Sequence, residues 1–299
     1  MADPQTLNET LQSQIGEQDG AREKLLRLCR QNKLAVVSAV VILLILLMAV
    51  FAPLIAPYGE AEQDALNRLQ PPSAEHWFGT DELGRDVFTR VLYGSRVSIT
   101  CGLITVLISL VVGLFFGGLA GYIGGVVDDV MMRFSEMIQS FPPLILAMVI
   151  AAALGPNISN SVLAMAIIWW PNYARLTRSI VISVKQNDYV TASRVLGATH
   201  TRILGKELLP NSIGSMVVMC TLDLGNAILM FSGLSFLGLG VQPPVAEWGY
   251  MVSDGVRATA NWWVATFPGL AIFSVAIGAN FIGDGLRDYL DPKMRTAAG

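Results

Sequence analysis

The chain has 299 residues, of which 53% are hydrophobic and only 14% charged, against about 25% charged in an ordinary soluble chain. Its net charge of −3 excludes the basic surplus that would mark a nucleic-acid partner. Three cysteines, Cys29, Cys101 and Cys220, lack paired or metal-type spacing, which excludes a disulfide framework; the composition points to lipid.

The first twenty residues are polar and mostly acidic, and the first apolar run begins only after Lys33. That is too late and too long for a cleavable signal peptide, so the run reads as a retained anchor preceded by a tail over residues 1–33. A crossing needs about 20 apolar residues, and windows free of Asp, Glu, Lys and Arg predict six helices. Leu34 to Gly59 gives the first, ending at Pro53 and Pro57, and Val97 to Val127 the second. Met137 to Ala174 is too long for one span, and Gly155-Pro156-Asn157 divides it into a third and a fourth. The fifth runs from about Ser212 to Leu237 and the sixth from about Trp262 to Ile282, with Pro268 as a kink.

Basic residues orient these spans, because cytoplasmic flanks carry the excess of Lys and Arg. With the N-terminus inside, cytoplasmic segments hold 15 of the 20 basic residues, beginning with Arg22, Lys24, Arg27, Arg30 and Lys33. Both termini are then cytoplasmic. Gly59 to Arg96 becomes a long external loop and Val241 to Asn261 a shorter one.

Several residues invite a role within this frame. Gly113, Gly117, Gly121 and Gly125 recur every four residues, a pattern that allows close helix packing or leaves a bare face for substrate. Trp169, Trp170, Trp262 and Trp263 lie near predicted helix ends, where aromatic belts account for them. Glu136 is expected at a helix start, where the dipole favours an acid. Asp223 is the ionisable residue deep in a predicted span. It is either a translocation-path group that attracts a cation or a protonated or hydrogen-bonded group of the bundle. His76 and His200 fall on opposite sides of the membrane and cannot share a metal, and scattered Met is packing material; no metal site is expected.

Between the fourth and fifth spans lies a basic stretch, Arg175 to Pro210, with six bases against two acids. Ala192, Val195, Leu196, Thr199 and Ile203 fall at helical spacing, and Gly197 is expected to break the helix into two short pieces ending at Leu209-Pro210. Such a protruding element could transmit a push. The chain carries no Gly-x-x-x-x-Gly-Lys-[Ser/Thr] phosphate loop, the motif that cradles nucleotide phosphates.

Thr191-Ala192-Ser193, Gly197 and Leu209-Pro210 resemble the Glu-Ala-Ala, Gly and Leu-Pro signature of ABC importer membrane subunits, with matching spacing. Thr191 replaces the acidic residue, Ser193 the second Ala, and Glu207 a usual hydrophobic residue. Three further stretches resemble the second permease subunits of dipeptide, oligopeptide and nickel importers: His76 to Asp81 with Gly84-Arg85-Asp86, Ser235 to Gly240 with Glu247-Trp248-Gly249, and Gly283 to Asp288 with Asp291-Pro292-Lys293.

The resemblance covers roughly Asn32 to Lys293. It implies an all-α integral membrane protein with six transmembrane helices and the type I ABC importer permease fold, its permease domain over 34–293 and a short tail over 294–299. It also implies a five-part machine: this chain, a second permease subunit, two ATPase subunits that hold ATP and Mg, and an external substrate-binding protein. No cofactor is expected on this chain. Thr191 to Pro210 would then be the coupling element, and the cargo a di- or oligopeptide, or alternatively nickel or another small solute such as an opine. A stand-alone secondary transporter is disfavoured because Asp223 is a single intramembrane charge, and a membrane enzyme because no acid, base and nucleophile converge.

Overall fold

A computed structural model describes residues 32–258 and 260–290. The expected N-terminal tail with Arg22, Lys24, Arg27, Cys29 and Arg30, the motif Asp291-Pro292-Lys293 and the tail over 294–299 lie outside the described residues. Among the described residues every regular element is helical.

Helix α1 (Lys33–Val50) is uniformly apolar and mostly exposed, as a lipid-facing helix should be. Arg96 donates from Nε to the Ala49 carbonyl at 2.6 Å and from Nη2 to the Val50 carbonyl at 3.0 Å, satisfying two orphan groups at its end. One turn, α2 (Ala52–Ile55), follows.

The next helix, α3 (Val87–Ile123), starts ten residues before the predicted span, because Asp86 caps it by accepting from Thr89 N at 2.7 Å. Its 37 residues extend about 55 Å. It stops at Gly124, which adopts φ +74.

The third predicted crossing requires correction. In place of one helix from Met137 there are two, α4 (Gly125–Gln139) and α5 (Pro143–Leu154), bent by 90° at the Pro142-Pro143 break. Pro at a helix start cannot extend the preceding helix. With 12 residues, α5 is only about 18 Å long, too short to cross alone. Glu136, expected at a helix start, falls in the last turn of α4.

Helix α6 (Ile158–Val184) contains the buried Pro171. Trp170 lies at mid-length, buried against Phe116 and Phe134, so interior packing rather than an aromatic belt accounts for it. After α6 come the short helix α7 (Asp188–Val195), one turn α8 (His200–Arg202), a π-helical stretch Ile203–Leu208, and α9 (Leu209–Phe236). The expected external loop 241–261 contains a further helix, α10 (Trp248–Arg257), before α11 (Trp263–Leu290).

Among the described residues four helical runs are long and apolar enough to cross a membrane: α1, α3, the continuous run His200–Phe236, and α11; the bent pair α4 and α5 makes a fifth if it is one span. Helix α6 is long enough, but Asn172, Arg175 and Arg178 dilute its apolar character.

Small residues set the packing. A Cβ at Gly113 would lie 2.2 Å from the Tyr173 Cβ, at Gly117 2.2 Å from the Ala174 carbonyl oxygen, and at Gly121 2.9 Å from the Arg178 carbonyl oxygen, so α3 and α6 touch backbone to backbone. Gly125 does not share this role: it begins α4 at φ +56 with open space around it. Gly225 meets the Ala276 carbonyl and Gly283 meets Leu222 in the same way, which brings α9 against α11. The largest buried cluster, around Met165, Tyr173, Ala227 and Phe231, joins α3, α5, α6 and α9.

Candidate functional site

At one end of the bundle the segment between α6 and α9 folds into a compact knob. Helix α7 ends at Gly197, whose φ of +84 suits a residue without a side chain. The Ala198 amide donates to the Ser193 carbonyl at 3.0 Å and the Gly197 amide to the Arg194 carbonyl at 3.1 Å, the paired closure of a Schellman cap. Thr199 then starts the next turn, its hydroxyl accepting from Arg202 N at 3.4 Å. The break expected at Gly197 therefore has a backbone cause.

The π-helical stretch also has one. Pro210 has no N–H to offer the carbonyl of Lys206, so the regular ladder fails just before α9. Asn211 spans the fault by donating from Nδ2 to the Glu207 carbonyl at 2.5 Å and to the Tyr189 hydroxyl at 3.3 Å, tying α7 to the first turn of α9. Glu207, where the signature has a hydrophobic residue, keeps a buried Oε2 without a hydrogen-bond partner among the described residues.

The knob has its own core. Val190, Ile203 and Leu208 are fully buried with Val181 of α6, and Tyr122 of α3 and Ala198 pack on them. Lys185 Nζ donates to the Tyr122 carbonyl at 2.6 Å, and the Tyr122 hydroxyl bonds His200 Nδ1. The tip is different. Thr191, Ala192 and Gly197 are exposed, and so are Val195 at 83% and Leu196 at 87%. Two large apolar side chains thus project from a rigidly held element without a partner among the described residues, which is the form of a docking surface.

A second constellation occupies the opposite end and gathers the glycine-rich and acidic motifs. Asp81 accepts from the amides of Leu83 and Arg85 at 2.9 and 3.0 Å, and its Oδ2 pairs with Arg85 Nε at 2.6 Å and Arg90 Nε at 3.6 Å. Arg85 Nη2 lies 3.7 Å from Asp254 of α10. Burial raises the pKa of Asp254, and Arg85 and Arg90 oppose the rise. His76 Nδ1 and Asp86 Oδ1 pair at 2.9 Å. Trp263 is buried and donates its indole N–H to the Thr80 carbonyl at 3.1 Å, which removes it from the expected belt.

Glu247 caps α10 by accepting from Gly249 N at 2.9 Å and Tyr250 N at 2.8 Å, and it also accepts from Ser98 of α3 at 3.0 Å. Burial raises its pKa, and these donors oppose the rise. The arrangement is a structural lock in which each charge faces another charge or an amide. Its members are far apart in the chain, so spacing alone gave no signal that the separate motifs meet.

Asp223 sits midway along α9, beside Tyr173 of α6 and Cys220. Among the described residues neither the Tyr173 hydroxyl nor Asp223 Oδ2 has a hydrogen-bond partner of normal geometry. Arg178 of α6 makes a two-pronged pair with Asp128 of α4, a contact the sequence pattern did not suggest.

Residues 113–296 match the family described as binding-protein-dependent transport system inner membrane component, and residues 25–72 match the N-terminal TM domain of oligopeptide transport permease C. The chain is 46% identical over 271 residues to the probable D,D-dipeptide transport system permease protein DdpC of Escherichia coli (strain K12), covering 90% of this chain and 91% of that protein. It is 42% identical over 271 residues to the dipeptide transport system permease protein DppC of Bacillus subtilis (strain 168), with 90% and 85% covered. To the oligopeptide transport system permease protein OppC of the same organism it is 42% identical over 267 residues, with 89% and 88% covered.

Proposed function

This chain belongs to the family of binding-protein-dependent transport system inner membrane components, and on that premise we propose that it forms half of the pore of an ATP-driven importer of di- and oligopeptides. It is the membrane permease component and not the ATPase. The peptide cargo follows the named cargo of its relatives.

In this reading α1, α3, the α4 and α5 pair, α6, α9 and α11 make six crossings of a type I permease domain over 34–293, with the tails 1–33 and 294–299 in the cytosol. The external loop is 59–96 and the coupling loop 175–210. A second permease subunit completes the pore, two ATPase subunits hold ATP and Mg, and an external binding protein delivers substrate to the Asp81–Glu247 end. Asp223, with an unpartnered oxygen at mid-bundle, lies on the translocation path.

The observation that carries the proposal is the knob. Thr191, Ala192 and Ser193 lie on α7, Gly197 ends it, and Leu209-Pro210 begins α9, so an apolar tip is coupled through Asn211 to a long helix. A tip seated in an ATPase would move as that ATPase pair closes. ATP binding inside and binding-protein docking outside then bias the same two-state equilibrium.

Gly197→Val tests this. No atom lies within 4 Å of the added Cβ position, so the change acts through the left-handed backbone, at about 1–2 kcal/mol, and reshapes the tip alone. In liposomes holding the complete transporter, peptide uptake and binding-protein-stimulated ATP hydrolysis should both fall at least tenfold. Full rates of both would refute the coupling role.

A further inference from the structure

The α4–α5 break leaves a cleft of about 510 Å³ against α6, within the ~300–1,000 Å³ typical of small-molecule sites. Its walls carry one acid and one base, Glu136 of α4 and Arg175 of α6, with Gln139, Asn172, Trp169 and Phe141 between them. The acid is oddly placed. Glu136 lies in the last turn of α4, where the helix dipole disfavours a negative charge. Its carboxylate makes no ion pair or hydrogen bond among the described residues.

Arg175 is equally underused. Among the described residues its one side-chain hydrogen bond is a weak donation from Nη2 to Asn172 Oδ1 at 3.3 Å, the same oxygen that accepts from Gln139 Nε2 at 2.8 Å. The nearby Arg178, by contrast, is fully engaged with Asp128. In the topology above, Glu136 and Arg175 flank the uncharged stretch from 137 to 174 on its cytosolic side, where both are exposed and the cleft is open to water. A helix broken within the bundle is tolerated where it lines a cavity, and membrane transporters place their substrates at breaks of this kind.

We propose that this cleft is a binding station for the zwitterionic backbone of a short peptide, with Glu136 taking the amino terminus and Arg175 the carboxylate. Gln139 and Asn172 form the polar floor between them, and Trp169 and Phe141 accept side chains without discriminating among them. The station rests on the peptide-importer reading above and specifies its site. Opposite charges select a free dipeptide over a cation such as nickel, for which one carboxylate is a poor ligand set.

The test uses the complete transporter in liposomes, with L-alanyl-L-alanine and D-alanyl-D-alanine as probes. Glu136→Gln and Arg175→Gln should each lower uptake at least tenfold per assembled complex, while Arg175→Lys, which keeps the charge, should stay within threefold of the parent. Separately, Gln139→Cys in the otherwise unchanged chain should react with a water-soluble thiol reagent at least threefold more slowly while either dipeptide is being transported. If the glutamine variants fail to assemble, that protection decides alone. Unchanged uptake in both glutamine variants, or a Gln139→Cys thiol that either dipeptide leaves unprotected, overturns the station. Failure of the parent transporter to take up either dipeptide would instead overturn the peptide reading itself.

Discussion

Glu247 shows how a single residue can be both visible and opaque in a sequence. It stood inside a motif with Trp248 and Gly249, yet only the fold reveals that its carboxylate is buried and holds α3 to the start of α10 through Ser98. Burial raises its pKa above the ordinary 4.5 against the pull of four donors. For an acid whose folded pKa is raised, stability is greatest below the unfolded value and is lost as pH rises through the folded one. Glu247→Gln cannot titrate, so the melting temperature of the parent should fall relative to this variant as pH rises from about 4.5 toward neutrality. A tenfold change in proton affinity corresponds to about 1.4 kcal/mol. A difference in melting temperature that is flat with pH would show that the carboxylate is not penalised by burial.

At the scale of elements, runs of uncharged residues located the helices well, because hydrocarbon tolerates little else, but they could not locate breaks made by backbone chemistry. The 90° bend at Pro142-Pro143 and the π-helical stretch before Pro210 both lie where proline withholds an N–H. Capping was legible only in part: Asp86 extends α3 outward past the expected start, whereas Gly197 was expected to break the knob and does. The glycine repeat is the sharpest case of partial legibility, since its period names a face while only coordinates say where the face ends. Gly117→Ala places a carbon 2.2 Å from the Ala174 carbonyl oxygen. Backbone cannot step aside as a side chain can, so the cost should reach or exceed the 1–3 kcal/mol usual for overpacking. Gly125→Ala meets open space and should cost only the left-handed strain, about 1–2 kcal/mol. Detergent melting curves should rank the two in that order, and equal effects would mean that α3 and α6 do not pack at Gly117.

At the scale of the whole chain, the two ends of the bundle differ in kind. One end is a lock of buried charges and caps from Asp81 to Glu247, suited to a fixed face. The other is a knob whose apolar tip projects from an otherwise basic stretch. Charge placement alone predicts a cytosolic knob, through the excess of Lys and Arg that positive-inside topology requires. The fourth predicted span corresponds to α6, which runs on past Ala174 to Val184 because Asn172 and Arg175 serve the cleft and Arg178 the pair with Asp128 rather than lipid. The orientation can be tested with two exposed positions at opposite ends, Leu66 at 91% and Leu196 at 87%. In intact cells a membrane-impermeant maleimide should label Leu66→Cys and spare Leu196→Cys, and permeabilised cells should label both. The native Cys101 and Cys220 are buried and half-buried within the bundle, and the signal of the parent chain gives the background. Labelling of Leu196→Cys from outside would invert the bundle and with it the coupling proposal, because an ATPase can reach the knob only from the side that holds ATP.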